Sequence, residues 1–202
     1  MSKIERIQKK LTSSLKRWLK VPKNLSNDCF YSRSAKLQLP YTALVEEFKV
    51  AKARNQVTFE ESKDPCIRNA EIRVDAGRKA NTISAVKEAK ERLRMVEITG
   101  IANKGKEGLG LTKRRYYSKS TKSERRDMIV QTVRDKEEES RMVKRTNLSK
   151  QGASTRWEVP QRRVKHDDVL RMSDTRLSFL IKAVYDLLPT PANKKTWFQE
   201  GG

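Results

Sequence analysis

The sequence predicts an all-α fold: loosely packed helices with long polar connections and a basic N-terminal helix. Three observations carry this. Apolar residues recur at helical spacing in several separate stretches. Hydrophobic residues make up 36% of the 202 residues and charged ones 35%, which is little material for one large core. Proline and capping residues fall where those stretches start or stop.

Residues 3–20 give the clearest signal. At about 100° per residue, Ile4, Ile7, Leu11, Leu15, Trp18 and Leu19 lie within roughly a third of the helix circumference. Lys3, Arg6, Lys9, Lys10, Lys16, Arg17 and Lys20 lie on the opposite side. Val21-Pro22 ends the run, because the residue before proline avoids the α region. Three readings fit such a helix: an ordinary surface helix with solvated cations, a face for a nucleic-acid backbone, or a targeting or membrane-surface segment.

Residues 23–41 read as loop, with a short extended piece at 36–40. A second helix is expected from Thr42 to Lys63, its apolar side formed by Leu44, Val45, Phe48 and Ala51. Asp64-Pro65 restarts a short helix through Ile67, Ala70 and Ile72. Asn81 or Thr82 caps another, with Ile83, Val86 and Leu93 facing one way. Residues 100–120 form a basic linker containing Gly105, Gly108, Gly110 and the run Lys113-Arg114-Arg115-Tyr116-Tyr117. Its glycines match neither a Walker loop nor a dinucleotide fingerprint.

Thr121-Lys122-Ser123-Glu124 is a capping box opening a long helix to about Asn147. Its centre, Asp135 to Glu139, is polar all round and reads as solvent-exposed or as a bridge between modules. Gln151-Gly152 breaks it, Trp157 to Pro160 reads as a docking turn with Trp157 as a core or interface anchor in preference to a base-stacking residue, and Ser173 caps a last apolar helix. In that helix Leu180, Ile181, Val184 and Leu187 are expected to bury against the rest of the connector, with Trp157 as a candidate neighbour. Thr190 and Pro191 open a further helical turn, expected to be mobile, that leads to Trp197 and Phe198. The domain reading is thus 1–99, a helical region; 100–120, the linker; and 121–202, a helical connector that stops as a further helix begins.

Charge points to a partner. There are 46 Lys and Arg against 25 Asp and Glu, a net +21, which implies a polyanion. The excess is blocky: ten basic against two acidic residues in 1–36 and nine against two in 100–126. Residues 37–99 are nearly balanced, twelve against ten, and 127–140 are net acidic, two against five. The candidate phosphate contacts are Lys9, Lys16, Arg17 and Lys20, then Lys113, Arg114 and Arg115.

Other chemistries find little support. Cys29 and Cys66 with the single His166 do not supply the four ligands of a structural zinc site, and a disulfide between the cysteines has nothing to favour it. No cofactor, metal or small-molecule substrate is expected. No stretch of about 18 apolar residues exists, so no membrane partner is expected. Asp167-Asp168 is the one tempting carboxylate pair, but it begins a helix, where acids favour the positive end. His166 reads as a surface or capping residue.

Several segments together resemble the region after the catalytic palm in reverse transcriptases of non-LTR retrotransposons. These are Leu15-Lys16-Arg17-Trp18-Leu19-Lys20-Val21-Pro22, similar to a basic segment of that family, then Lys36-Leu37-Gln38-Leu39-Pro40 and Ala51-Lys52-Ala53-Arg54. Glu107-Gly108-Leu109-Gly110-Leu111 and Glu124-Arg125-Arg126 follow, then Ser178-Phe179-Leu180-Ile181, Tyr185-Asp186, Leu188-Pro189, Asn193 and Trp197. The family's palm motif and its Cys/His zinc knuckle have no counterpart in this sequence. The resemblance therefore implies a fragment, thumb and connector, that binds RNA or an RNA–DNA hybrid without catalysing polymerisation, with a nuclear location. The rival expectation is a non-functional transposon relic or a helical interaction protein. Oligomeric state is not legible.

Overall fold

Helix α1 spans Lys3–Trp18 and α2 spans Asn27–Tyr31. After a two-residue strand β1, Leu37–Gln38, come α3, Leu44–Glu60, and the short α4, Pro65–Arg68. Helix α5 covers Thr82–Ala102 and α6 covers Lys122–Thr146. A 3₁₀ turn at Ala153–Arg156 leads to strand β2, Arg162–Arg163, then α7, His166–Arg171, and α8, Asp174–Val184. These elements come from a computed structural model that describes residues 3–68, 82–102, 116–148, 150–191 and 193–194. The described residues are mostly helical, as the sequence predicts.

By contacts the chain forms two units, residues 1–45 with 138–202 and residues 46–137. The division falls at other positions than the compositional boundaries at 99 and 121.

The first unit is built from both halves of the sequence. Leu19, Val21, Leu25, Cys29, Phe30, Leu37 and Leu39 pack with Val164, Val169, Leu177, Ile181, Tyr185 and Leu187. Helix α2, read as loop from the sequence, supplies Cys29, Phe30 and Tyr31 to this core. Ser26 caps it by accepting the Asp28 N–H at 3.2 Å. Within the extended piece at 36–40 only β1 is strand, and it pairs in parallel with β2, Leu37 opposite Arg162 and Gln38 opposite Arg163. Burial of Tyr185 is completed by its hydroxyl, which donates to the Cys29 carbonyl at 2.9 Å. Ser173 caps α8 as expected, but α8 packs on the N-terminal segment rather than near Trp157.

The turn after α8 is closed by hydrogen bonds. Thr190 Oγ1 accepts the Asn193 N–H at 3.2 Å. The buried Asn193 amide donates to the carbonyls of Asp186 and Leu188 at 3.2 and 2.9 Å. Trp197 and Phe198 lie outside the described residues.

The second unit packs Val50, Ala53 and Val57 of α3 against Val86 and Ala89 of α5 and Ile129, Val130 and Val133 of α6. The buried side of α3 therefore differs from the expected one: Leu44 and Phe48 are exposed. The Thr121–Glu124 capping box forms, with the Glu124 N–H donated to Thr121 Oγ1 at 3.3 Å and the Thr121 N–H to the Glu124 carboxylate at 3.0 Å. Ion pairs cover this unit. Arg134 holds Glu47 through two bonds of 2.5 and 2.8 Å, and Lys49 pairs Glu137 at 2.7 Å. Lys90 pairs Glu60, and Lys136 pairs Glu88.

Candidate nucleic-acid interface

Helix α1 buries a different stripe from the one its apolar pattern suggests. The covered residues are Thr12 and Lys16, with Leu19 just beyond the helix and Gln8 half-buried. That stripe is turned roughly a quarter of the circumference away from the apolar arc. Its partner explains the shift. Thr12 Oγ1 sits 2.7 Å from the Tyr31 hydroxyl, so a polar contact seats the helix. Burial raises the Tyr31 pKa, keeping the phenol protonated for that bond. Ile7, Leu11 and Trp18 consequently remain about half exposed, at 49%, 48% and 50%.

The predicted contact residues separate into three groups. Lys9 and Arg17 are exposed and make no ion pair among the described residues. Lys20 is exposed too, with its backbone at φ 52°, and pairs Asp174 at 3.3 Å across solvent. Such an exposed pair holds a lysine only weakly and yields to a phosphate.

Lys16 belongs elsewhere. It is only 8% exposed, and its ammonium donates to the carbonyls of Lys23 and Leu25. Desolvation lowers its pKa. Its place on the helix looked equivalent to that of its basic neighbours, but the fold uses it to tie down the segment after α1. Lys113, Arg114 and Arg115 lie outside the described residues. Of the adjoining tyrosines, Tyr117 packs against the core of the second unit and Tyr116 carries the Lys119 ammonium 5.6 Å from its ring centre.

A second polar centre lies inside the first unit. Glu138 accepts the hydroxyls of Ser32 and Ser34 at 2.5 and 2.7 Å and the Ser34 N–H at 2.8 Å. Arg141 donates to it at 3.1 Å. The buried Arg145 reaches Ser32 Oγ and the Ser34 carbonyl. Burial alone would raise the Glu138 pKa, yet these hydrogen bonds outweigh it and bring the carboxyl down to about 2. The centre of α6 keeps Asp135, Lys136 and Glu139 exposed, as expected, and turns only Glu138 towards Ser32 and Ser34, while Met142 and Val143 stay exposed.

The sequence reading passed over Arg156, Arg162, Arg163 and Lys165. All four are exposed, and Trp157 beside them is 41% exposed, so of the core and interface roles expected for it the core one does not hold. The available signal was a run of ten residues, 156–165, with four cations and one acid.

Asp168 accepts the Lys165 N–H at 2.9 Å, so one member of the carboxylate pair serves as a helix cap. His166 opens α7 at the surface, its ring 6.4 Å from that of Tyr41. Cys29 is buried, with its thiol pushed up to about 12, and Cys66 is exposed; neither forms a disulfide. Among the described residues no group of three His, Cys, Asp or Glu side chains is placed to hold a metal, and no helix is long and apolar enough to cross a membrane. No family model, curated protein or solved structure matches the chain.

Proposed function

We propose that the protein binds the phosphate backbone of RNA or an RNA–DNA hybrid, as a non-catalytic part of a retrotransposon reverse transcriptase. The observation that carries this reading is the exposed basic surface of α1. Lys3, Arg6, Lys9, Lys10 and Arg17 all reach solvent there, with Glu5 the helix's one acid. Cations so placed neutralise phosphates without reading bases, and each phosphate neutralised releases counterions. The net +21 supplies a long-range attraction for the same partner. The ordered segments resembling the post-palm region add the family context.

A salt titration tests it. Affinity for an RNA–DNA hybrid falls steeply between about 50 and 200 mM salt, with log K linear in log salt. Lys9→Glu with Arg17→Glu and Lys20→Glu weakens binding to all sequences alike and lowers the slope by roughly 2–3. Lys16 is left intact because its ammonium holds the fold. A flat salt dependence, or unchanged affinity in the triple variant, refutes the reading.

The exposed stripe of Ile7, Leu11 and Trp18 favours a second reading, a helical interaction protein with no nucleic-acid role. Under that reading Leu11→Ser abolishes a protein complex while the charge reversals do little.

A further inference from the structure

We propose that Arg156, Trp157, Arg162, Arg163 and Lys165 form a separate contact site for single-stranded nucleic acid, with a base stacked on Trp157 and phosphates held by the cations. The inference rests on the reading of the chain as a nucleic-acid binder, but it uses a different surface and a different physical interaction.

The platform is held in place. Gly152 lies against the end of α6, where a Cβ would meet the carbonyls of Leu148 and Arg145. The 3₁₀ turn that follows is closed by Thr155, whose Oγ1 and N–H both donate to the Gly152 carbonyl, at 2.7 and 3.0 Å. Trp157 ends that turn with its N–H donated to the Ser154 carbonyl at 3.3 Å. Its indole therefore projects from an ordered turn, and little conformational entropy is lost when a base stacks on it.

The cations are positioned by the strand pair. Lys36 Nζ donates to the Val159 carbonyl at 3.0 Å, and Gln161 is held between Gln38 and the Ser34 carbonyl. The N–H groups of Arg162 and Val164 are donated to the carbonyls of Lys36 and Gln38 at 2.7 and 2.9 Å. Alternation along β2 turns the N–H of Arg163 to the open side, where a phosphate oxygen can accept it. Val164 is fully buried and anchors the strand, so its basic neighbours are presented from fixed backbone.

The contrast with the second unit gives these charges their meaning. There Arg134, Lys49, Lys90 and Lys136 are each paired with a carboxylate. In the run 156–165 none of the four cations forms an ion pair among the described residues, although Glu158 lies within it. Exposed cations close in sequence to an exposed indole, with no carboxylate partner among the described residues, match a flexible strand with unpaired bases. A duplex keeps its bases stacked on one another and has none to offer.

The test compares oligo(dT) and oligo(U) of about 20 nucleotides with a duplex of the same length, by fluorescence anisotropy on the full chain. Trp157→Ala is expected to weaken single-strand binding roughly tenfold while duplex affinity changes less than twofold. Trp157→Phe keeps most of the single-strand affinity, which separates stacking from damage to the fold. Arg162→Gln with Arg163→Gln lowers the single-strand salt slope by roughly 1.4, at 0.7 per phosphate, and carries the test if Trp157→Ala unfolds.

Unchanged single-strand affinity in these variants overturns the proposal, as does equal loss on single strand and duplex. Competition by polyglutamate as effective as by oligo(dT) also overturns it, in favour of an acidic protein segment. If Lys9→Glu, Arg17→Glu and Lys20→Glu leave all binding intact while Trp157→Ala keeps its selective effect, the role of α1 falls and this site stands. If the wild-type chain binds neither single strand nor duplex, both readings fall together.

Discussion

Replacing Glu138 by glutamine keeps the side-chain shape and removes the charge that Ser32, Ser34 and Arg141 hold. The carboxyl lies at about 2 against an ordinary 4.5. That depression of about 2.5 units, at 1.36 kcal/mol each, corresponds to about 3 kcal/mol of stability. Because the folded-state pKa is lowered, this contribution is fully present above pH 4.5 and is lost as pH falls from 4.5 towards 2. Glu138→Gln should therefore cost about 3 kcal/mol at neutral pH. It should also flatten the fall in stability across that acid window. Urea unfolding at pH 7, 4.5 and 2.5 measures both effects, and Trp18 and Trp157, which belong to the same unit, report them by fluorescence. A variant whose stability falls with acid in parallel with the wild type would refute the reasoning. So would a loss below about 1 kcal/mol at pH 7.

Lys16→Glu presses a carboxylate against the Lys23 and Leu25 carbonyls, so it should cost more than about 3 kcal/mol and show as lost helical circular dichroism; a folded variant that only binds less would contradict the burial argument. Tyr185→Phe leaves the Cys29 carbonyl without its hydroxyl donor and should lower stability by about 1–2 kcal/mol in the same urea assay. Arg134→Ala removes the two-bond pair with Glu47 and a 3.6 Å contact to the buried Glu46, and hydrogen exchange should show α3 and α6 losing protection by about 2 kcal/mol. Gly152→Ala should destabilise by more than about 1 kcal/mol in thermal melts, because the added carbon meets backbone rather than a movable side chain.

The helical character and most helix starts were legible because they depend on neighbours in sequence. Thr121, Ser173 and Thr190 cap where expected, since a cap needs only the next three residues. What escaped was the set of polar residues that the fold turns inward. Periodicity locates apolar side chains, but Thr12 and Lys16 are buried because Tyr31 and the carbonyls of Lys23 and Leu25 receive them. The same holds for Glu138 and Arg145, whose serine partners lie more than a hundred residues away. The β1–β2 pairing joins two dipeptides 125 positions apart, and neither dipeptide carries a local mark of the other. Of the candidate interface, the exposed cations of α1 could be read, the removal of Lys16 from it could not, and the run 156–165 acquired its significance only from exposure.

The joining of residues 1–45 with 138–202 in one unit has a consequence for synthesis. The N-terminal segment leaves the ribosome first, yet Leu177, Ile181 and Tyr185, which share a core with Leu25 and Phe30, are made about 150 residues later. At roughly 5–20 residues per second, those core side chains wait on the order of ten seconds or more without their cover. The described core of residues 46–137 draws its members from within that span and can close in the meantime. Folding order therefore runs from the middle of the chain outwards. Nascent chains released early should be the ones that engage chaperones through Leu25, Phe30 and the exposed stripe of α1.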